Sequence, residues 1–455
     1  FDYFARKQYG AEYLKTHTKE VQQELQGVVY GLNQPSSARG DQSVFWNVSV
    51  FDKPYLEEMF GEFYYPDGTK PDLKSVMELQ KFFMEWFRQE RTKELLTFPV
   101  LTASLLTYVE GLNGSQGGFV DEDFKEYCAE QMSKGHSFFI YMSDSVDSLA
   151  SCCRLRNELA DNTFSYTLGA GGVVTGSAQV ITINMNRLVQ EAVEVGEDIV
   201  DSLKARIHNV HKYLMAHKAV YKDYIDAGLL PAYTAGFMDI DKQFLTIGVN
   251  GLVEAGEYLR LHMGNNREWT EWLAKILEVF KVANKEALEK YGVRFNTELV
   301  PAENLGVKNA KWDKEDGFEV FRDCYNSYFY AVEDHMSIFD KISLYGHKIT
   351  DYLDGGSALH LNLEQLPSKG SIQQLFEACR IAGVPYWTTN VMCTICNDCN
   401  YINPETTQTC KACGSTNVDY GTRIIGYLKR IKNFSKARQK EASKRFYNLI
   451  ERRKN

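Results

Sequence analysis

Two Cys-x-x-Cys pairs near the end of the chain, Cys396/Cys399 and Cys410/Cys413, constrain it more than any other feature. Ten residues separate the pairs and Gly414 follows the second, so two knuckle turns can point four thiolates at one tetrahedral ion, most naturally Zn2+. Iron in an all-thiolate site, a redox pair and a disulfide clip are the competing readings. Cys393, Cys396 and Cys399 are equally spaced, so either adjacent pair can supply the first two ligands. A few residues on, Thr422 to Ile431 reads as a short apolar hairpin or loop whose single glycine, Gly426, is flanked by Ile424, Ile425, Tyr427 and Leu428. A glycine there serves a tight turn or the close approach of another group to its Cα.

Upstream, helical and strand patterns alternate. Helices are expected over 18–32, 71–97, 121–134, 199–226 and 270–291, and strands over 44–51, 98–102, 136–142, 180–184 and 325–332. Strand, turn and helix follow one another over 244–255, and a Gly-Gly turn at Gly355 and Gly356 leads into a strand ending near Asn362. Such alternation argues for βα units around a mainly parallel sheet or barrel. Cys128 falls inside a helix and reads as a small buried hydrophobe. The glycine cluster at 169–172 lacks a following Gly-Lys-Ser/Thr, which excludes a P-loop. His208 and His211 share a helix face without an acidic partner, the pattern of a packed or solvated face. Residues 435–455 read as a basic helix with a solvated face.

With 44% hydrophobic and 24% charged residues, the 455-residue chain has the composition of a globular protein with a sizeable core. Its net charge of −9 argues against general binding of nucleic acid or acidic membrane. There is no run of eighteen apolar residues and no signal segment, so the expected setting is cytoplasmic. Half of the ten cysteines are clustered and the rest scattered, which fits a reducing compartment. The chain opens at Phe1-Asp-Tyr-Phe without a methionine, as a fragment would.

The four-cysteine knuckle followed by Arg423-Ile-Ile-Gly-Tyr-Leu428 resembles the C-terminus of the anaerobic (class III) ribonucleoside-triphosphate reductases. Further likenesses run from about Gln34 to Leu428. They include Pro35-Ser-Ser-Ala-Arg-Gly-Asp-Gln42-Ser43, the Cys153-Arg154 pair before a glycine-rich loop, Val180-Ile-Thr-Ile-Asn184, Phe244 to Ala255, Phe295 to Gly306, and Leu353-Asp-Gly-Gly-Ser-Ala-Leu-His360.

The resemblance implies an α/β fold: a ten-stranded α/β barrel of two parallel half-sheets with inserted finger loops over residues 1–392. A four-cysteine zinc module follows over 393–418, and a glycyl-radical loop with a C-terminal helix over 419–455. It makes Gly426 the glycyl radical and Cys153 the thiyl radical, with Cys152 as the alternative, standing where the family usually has glycine. Gln42, Ser43, Asn47, Gly355, Gly356 and Ser357 become substrate-binding candidates, and Cys396, Cys399, Cys410 and Cys413 the zinc ligands. Ribonucleoside triphosphates are the implied substrates and dNTP or ATP the allosteric effectors. An S-adenosylmethionine/[4Fe-4S] activase would make the radical, formate or a thiol system would supply electrons, and the enzyme would be a homodimer. Two positions depart from the family pattern: Ser177 stands where formate-using members carry Asn, and Leu-Pro-Arg has become Met185-Asn186-Arg187. The competing functions are a different glycyl-radical enzyme, or a metabolic barrel whose zinc ribbon binds a partner.

Overall fold

The computed structural model describes residues 1–35, 43–44, 46–110, 116–146, 148–151, 155–158, 176–300, 304–423 and 428–450. Strands β1 (Asn47–Phe51) and β2 (Val100–Glu110) lie parallel, and β3 (Gln116–Phe119) folds back antiparallel on β2. Strand β4 (Phe139–Ser143) continues the parallel set on the other side of β2. Alternation sorts the residues of these strands by face. Leu101, Ala103, Leu105, Ile140 and Met142 enter the main core with Met84, Phe124, Cys128 and Met132 of helices Leu73–Glu90 and Glu122–Ser133. Val100, Phe139 and Tyr141 turn the other way and pack with Phe98, Ala358 and Tyr386. Cys128 is completely buried, as its helical context predicts.

After β4 comes a small hairpin, β5 (Ser148–Ser151) and β6 (Leu155–Glu158), paired from Ser148↔Glu158 to Ser151↔Leu155. Strands β7 (Ser177–Asn184), β8 (Phe244–Asn250) and β9 (Phe295–Leu299) are mutually parallel. So are β10 (Leu359–Leu363) and β11 (Tyr386–Val391). A parallel bridge from Glu298 to Gly356, just ahead of β10, joins these two groups. β11 then meets β4 antiparallel through Tyr386↔Tyr141 and Trp387↔Ile140. Two internally parallel half-sheets therefore run opposite to one another, β7-β8-β9-β10-β11 and β4-β2-β1. Eight of the ten expected barrel strands are among the described residues.

The bridge depends on a glycine. A Cβ on Gly355 would lie 2.6 Å from the carbonyl oxygen of Thr297 and 2.8 Å from its carbon, so only a residue without one lets the turn lie flat on β9. The Gly355 N–H donates to Thr297 O at 2.9 Å, and the Leu299 N–H donates to Gly356 O at 3.2 Å. From the same turn the Asp354 carboxylate accepts the Thr297 N–H at 2.6 Å.

The C-terminal part forms its own antiparallel sheet from β12 (Cys393–Cys396), β13 (Ile402–Asn403), β14 (Val418–Arg423) and β15 (Leu428–Arg430), in the order β13-β12-β14-β15. One sheet thus runs across residue 418. Among the described residues no helix is long and apolar enough to cross a membrane.

Two expectations from sequence need correction. Residues 325–332 form no strand; they make a buried irregular segment whose backbone is satisfied from outside any ladder. Asn326 O accepts the Gly251 N–H at 3.1 Å, Phe329 O accepts the Trp269 indole N–H at 2.8 Å, and the Val332 N–H reaches the Asn326 side chain at 3.3 Å. Nor is the basic tail a helix to its end: helix Lys436–Lys444 gives way to an extended run in which the Phe446 N–H bonds Val332 O and the Asn448 N–H bonds Asn362 O, both at 2.8 Å. Arg438 and Arg445 are buried rather than solvated.

Candidate active site

The thiols that the spacing singles out come together. Sulfurs of Cys396, Cys399, Cys410 and Cys413 all lie within 4.8 Å of one another, with Cys396 to Cys413 and Cys399 to Cys410 both at 3.6 Å. A tetrahedron with Zn–S arms of about 2.3 Å has edges of about 3.8 Å, so the donor set fits a zinc-sized ion. The knuckles are pre-shaped by backbone: Gly414 takes φ +76°, a left-handed value suited to glycine, and its N–H closes on Cys410 O at 2.9 Å. Backbone N–H groups of Cys413 and Ala412 aimed at the Cys410 sulfur push its thiol down to about 7. Cys393 takes no part in the cluster. It is buried against β14, which pushes its thiol up to about 11.

From this module β14 and β15 extend as a hairpin, paired from Gly421↔Arg430 to Arg423↔Leu428. Gly426 lies between them at 424–427, outside the described residues. The near end of the hairpin is fixed to the barrel. The Asn390 amide of β11 donates to Thr422 Oγ1 at 3.1 Å and to Asn362 of β10 at 2.7 Å, while its oxygen accepts the Arg423 N–H at 3.3 Å. Arg423 Nε donates to Ser137 Oγ at 3.0 Å, and its guanidinium rests 4.6 Å from the ring centroid of Phe139 on β4. Phe139 stacks in turn on Tyr386 at 4.8 Å, and the Tyr386 hydroxyl meets Thr102 Oγ1 at 3.1 Å. The module is thereby joined to the aromatic face where the two half-sheets meet.

The inner faces carry several polar atoms with no hydrogen-bond partner among the described residues: Ser104 Oγ, Asn47 Oδ1, Ser357 Oγ and Asn296 Nδ2. Buried polar groups left open in this way are what a polar ligand or water satisfies. Asn296 ends a chain across three strands: Ser177 Oγ meets Thr246 Oγ1 at 2.6 Å, which donates to Asn296 Oδ1 at 2.7 Å.

The expected substrate residues divide. Asn47 and Ser357 keep unspent polar atoms, whereas Ser43 Oγ donates to Asn33 O at 2.6 Å, and the Gly355 N–H and Gly356 carbonyl are engaged with β9. Gln42, Cys152 and Cys153 lie outside the described residues, as does the 169–172 glycine cluster. His211 packs on Phe295 and bonds Asn284 Oδ1 at 3.0 Å, with burial holding it below the ordinary imidazole range, and His208 is exposed; the pair is a packed face and not a ligand set. Met185-Asn186-Arg187 has a structural role. Asn184, Asn186, Arg187 and Tyr325 all donate to the fully buried Asp313, with Arg187 Nε at 2.8 Å. Sequence reading missed Arg423, Asn390 and Ser104. Only Arg423 carried a signal, as the first residue of the Arg-Ile-Ile-Gly-Tyr-Leu segment.

Residues 1–447 match the family model described as anaerobic ribonucleoside-triphosphate reductase. A search of curated proteins gives no match. Among solved structures, one described as an anaerobic ribonucleotide reductase aligns with a TM-score of 0.84 and 28% identity, over 99% of this chain and 71% of that one. The anaerobic ribonucleotide reductase from Thermotoga maritima in complex with dATP and CTP aligns with a TM-score of 0.82 and 29% identity, over 96% of this chain and 72% of that one. The same enzyme with glycerol in its active site gives the same values. A family match over nearly the whole length, joined to this barrel and its thiol module, identifies the chain as a member of the anaerobic ribonucleoside-triphosphate reductase family.

Proposed function

We propose that this enzyme of ribonucleotide reduction carries its stable radical at Gly426 and its hydrogen-abstracting thiyl at Cys153. The observation that carries the reading is the anchoring of the β14–β15 hairpin at Arg423 to β4 and β11, which brings the residues bracketing Gly426 to the inner face of the barrel. The hairpin β5–β6, which comes after β4 in the chain, pairs Ser151 with Leu155 on either side of Cys152 and Cys153.

In this reading the Gly426 Cα radical takes the thiol hydrogen of Cys153, and the resulting thiyl takes the 3′ hydrogen of the ribose. The 2′ hydroxyl leaves with a proton as water. Two electrons and two protons from an external reductant balance the reduction, after which the 3′ hydrogen returns from Cys153 and the radical returns to Gly426. A closed barrel suits this chemistry because radicals survive only where water and oxidants are excluded. Asn47, Ser104, Ser357 and Asn296 offer the unspent polar atoms for ribose and phosphate; Gln42 and Ser43 belong to the same candidate set.

Zinc in the four-thiol cluster would neutralise the thiolates and stiffen the platform from which the hairpin extends. The eight described cysteines form no disulfide with one another, in keeping with a reducing, cytoplasmic setting. Ribonucleoside triphosphates as substrates and dNTP or ATP as effectors fit the dATP and CTP bound by the Thermotoga maritima enzyme. A homodimer and a radical-SAM activase complete the proposal. Activated protein given ribonucleoside triphosphates and a reductant under nitrogen should yield deoxyribonucleotides; absence of product from radical-bearing protein would refute it.

A further inference from the structure

We infer that Arg445 is a positioning residue for the radical loop, acting through the backbone of Arg423; the inference rests on the assignment of Gly426 above. Arg445 ends helix Lys436–Lys444 and turns inward with a side chain only 4% exposed. Its Nη1 donates at 2.7 Å to the carbonyl oxygen of Arg423, the last described residue before 424–427. Its Nε and Nη2 donate to the two oxygens of Glu441 at 2.7 and 3.0 Å, and Arg438 Nη1 donates to Glu441 at 3.1 Å. The donor is a guanidinium and the acceptor a neutral carbonyl, which makes that hydrogen bond a charge-assisted one. A second contact runs in parallel, the Tyr447 hydroxyl meeting Thr422 Oγ1 at 3.4 Å.

These contacts do more than tie down a tail. Arg423 is held from one side by Asn390, Ser137 and Phe139 of the barrel and from the other by Arg445. The barrel thus sets its N–H and side chain, and the C-terminal helix sets its carbonyl, from which the chain runs on toward 424. Gly426 is three residues further on. Hydrogen transfer between two side-chain or backbone sites is sensitive to displacements near 1 Å, which cost about 100-fold in rate. Arg445 therefore sets where the loop starts, and its loss should impair radical transfer and spare radical formation.

The test uses the full chain activated anaerobically, with spin per chain, kcat, KM, zinc content and thermal midpoint measured on each variant. Arg445→Gln should keep the glycine radical signal and the substrate KM within about two-fold while kcat falls about 100-fold. Arg445→Lys, which restores one donor to the Arg423 carbonyl, should recover about ten-fold of that loss. An R445Q enzyme with unchanged kcat would overturn the inference, and so would a kcat loss that merely tracks lost radical or lost folded protein. Should R445Q fail to fold, Glu441→Gln decides: it leaves Arg445 in place but loosens its grip, and an unchanged kcat in E441Q would overturn the inference equally. A glycine signal absent from the unsubstituted protein would instead refute the assignment of Gly426 itself.

Discussion

The sulfurs of Cys396 and Cys413 sit 3.6 Å apart although the two residues are seventeen positions apart in the chain, one buried and the other exposed. Four unbound thiols have no physical reason to converge so tightly; a shared ion supplies one, and its binding energy is folding energy for the module. Purified protein should therefore contain about one zinc per chain. Cys410→Ser should lose it, and Cys393→Ser should retain it, since Cys393 faces Gly421 and not the cluster. Metal analysis of the two variants decides between the two pairs the sequence left open; full zinc in C410S would contradict the assignment.

The spacing rule made the module legible because ligand geometry is local. The barrel was legible for a similar reason: hydrophobic periodicity fixes which face of each strand and helix is covered. Tyr325 to Val332 was misread because aromatic and β-branched residues report burial, not ladder pairing. The basic tail was misread because one of its two acids, Glu441, binds Arg438 and Arg445 by position in the fold rather than by composition. Gly355 was read as a substrate-binding candidate; its N–H is used by β9, which no local pattern discloses.

Stability should depend on pH through Asp354. Burial holds its carboxyl up at about 6 against an ordinary 3.8, even though it accepts the Thr297 N–H. The folded chain therefore binds the extra proton between these values. Stability falls as pH rises from about 4 to about 6 and is level beyond. Asp354→Asn keeps the accepting oxygen and carries no charge, so its thermal midpoint relative to the unsubstituted protein should rise between pH 4.5 and pH 7. A midpoint difference that does not change with pH would contradict this.

The electron source should be a thiol system. Ser177 stands where an amide would be expected in a formate-using enzyme, and its hydroxyl is already engaged by Thr246. Activated protein should turn over repeatedly with a thioredoxin-type or glutaredoxin-type reductant and stall with formate alone. Sustained turnover on formate would contradict this and direct attention to Asn296, whose amide N–H lies along the same chain without a partner among the described residues.

The most direct measurement is an anaerobic EPR spectrum of the activated chain and three variants, each paired with a turnover assay. Gly426→Ala should show no glycine radical and no activity. Cys153→Ser should keep the radical at an ordinary yield yet form no deoxyribonucleotide, because a hydroxyl hydrogen cannot be abstracted at accessible cost, while Cys152→Ser should remain active. A radical that survives in G426A, or a C153S enzyme that turns over while C152S is dead, would contradict the account.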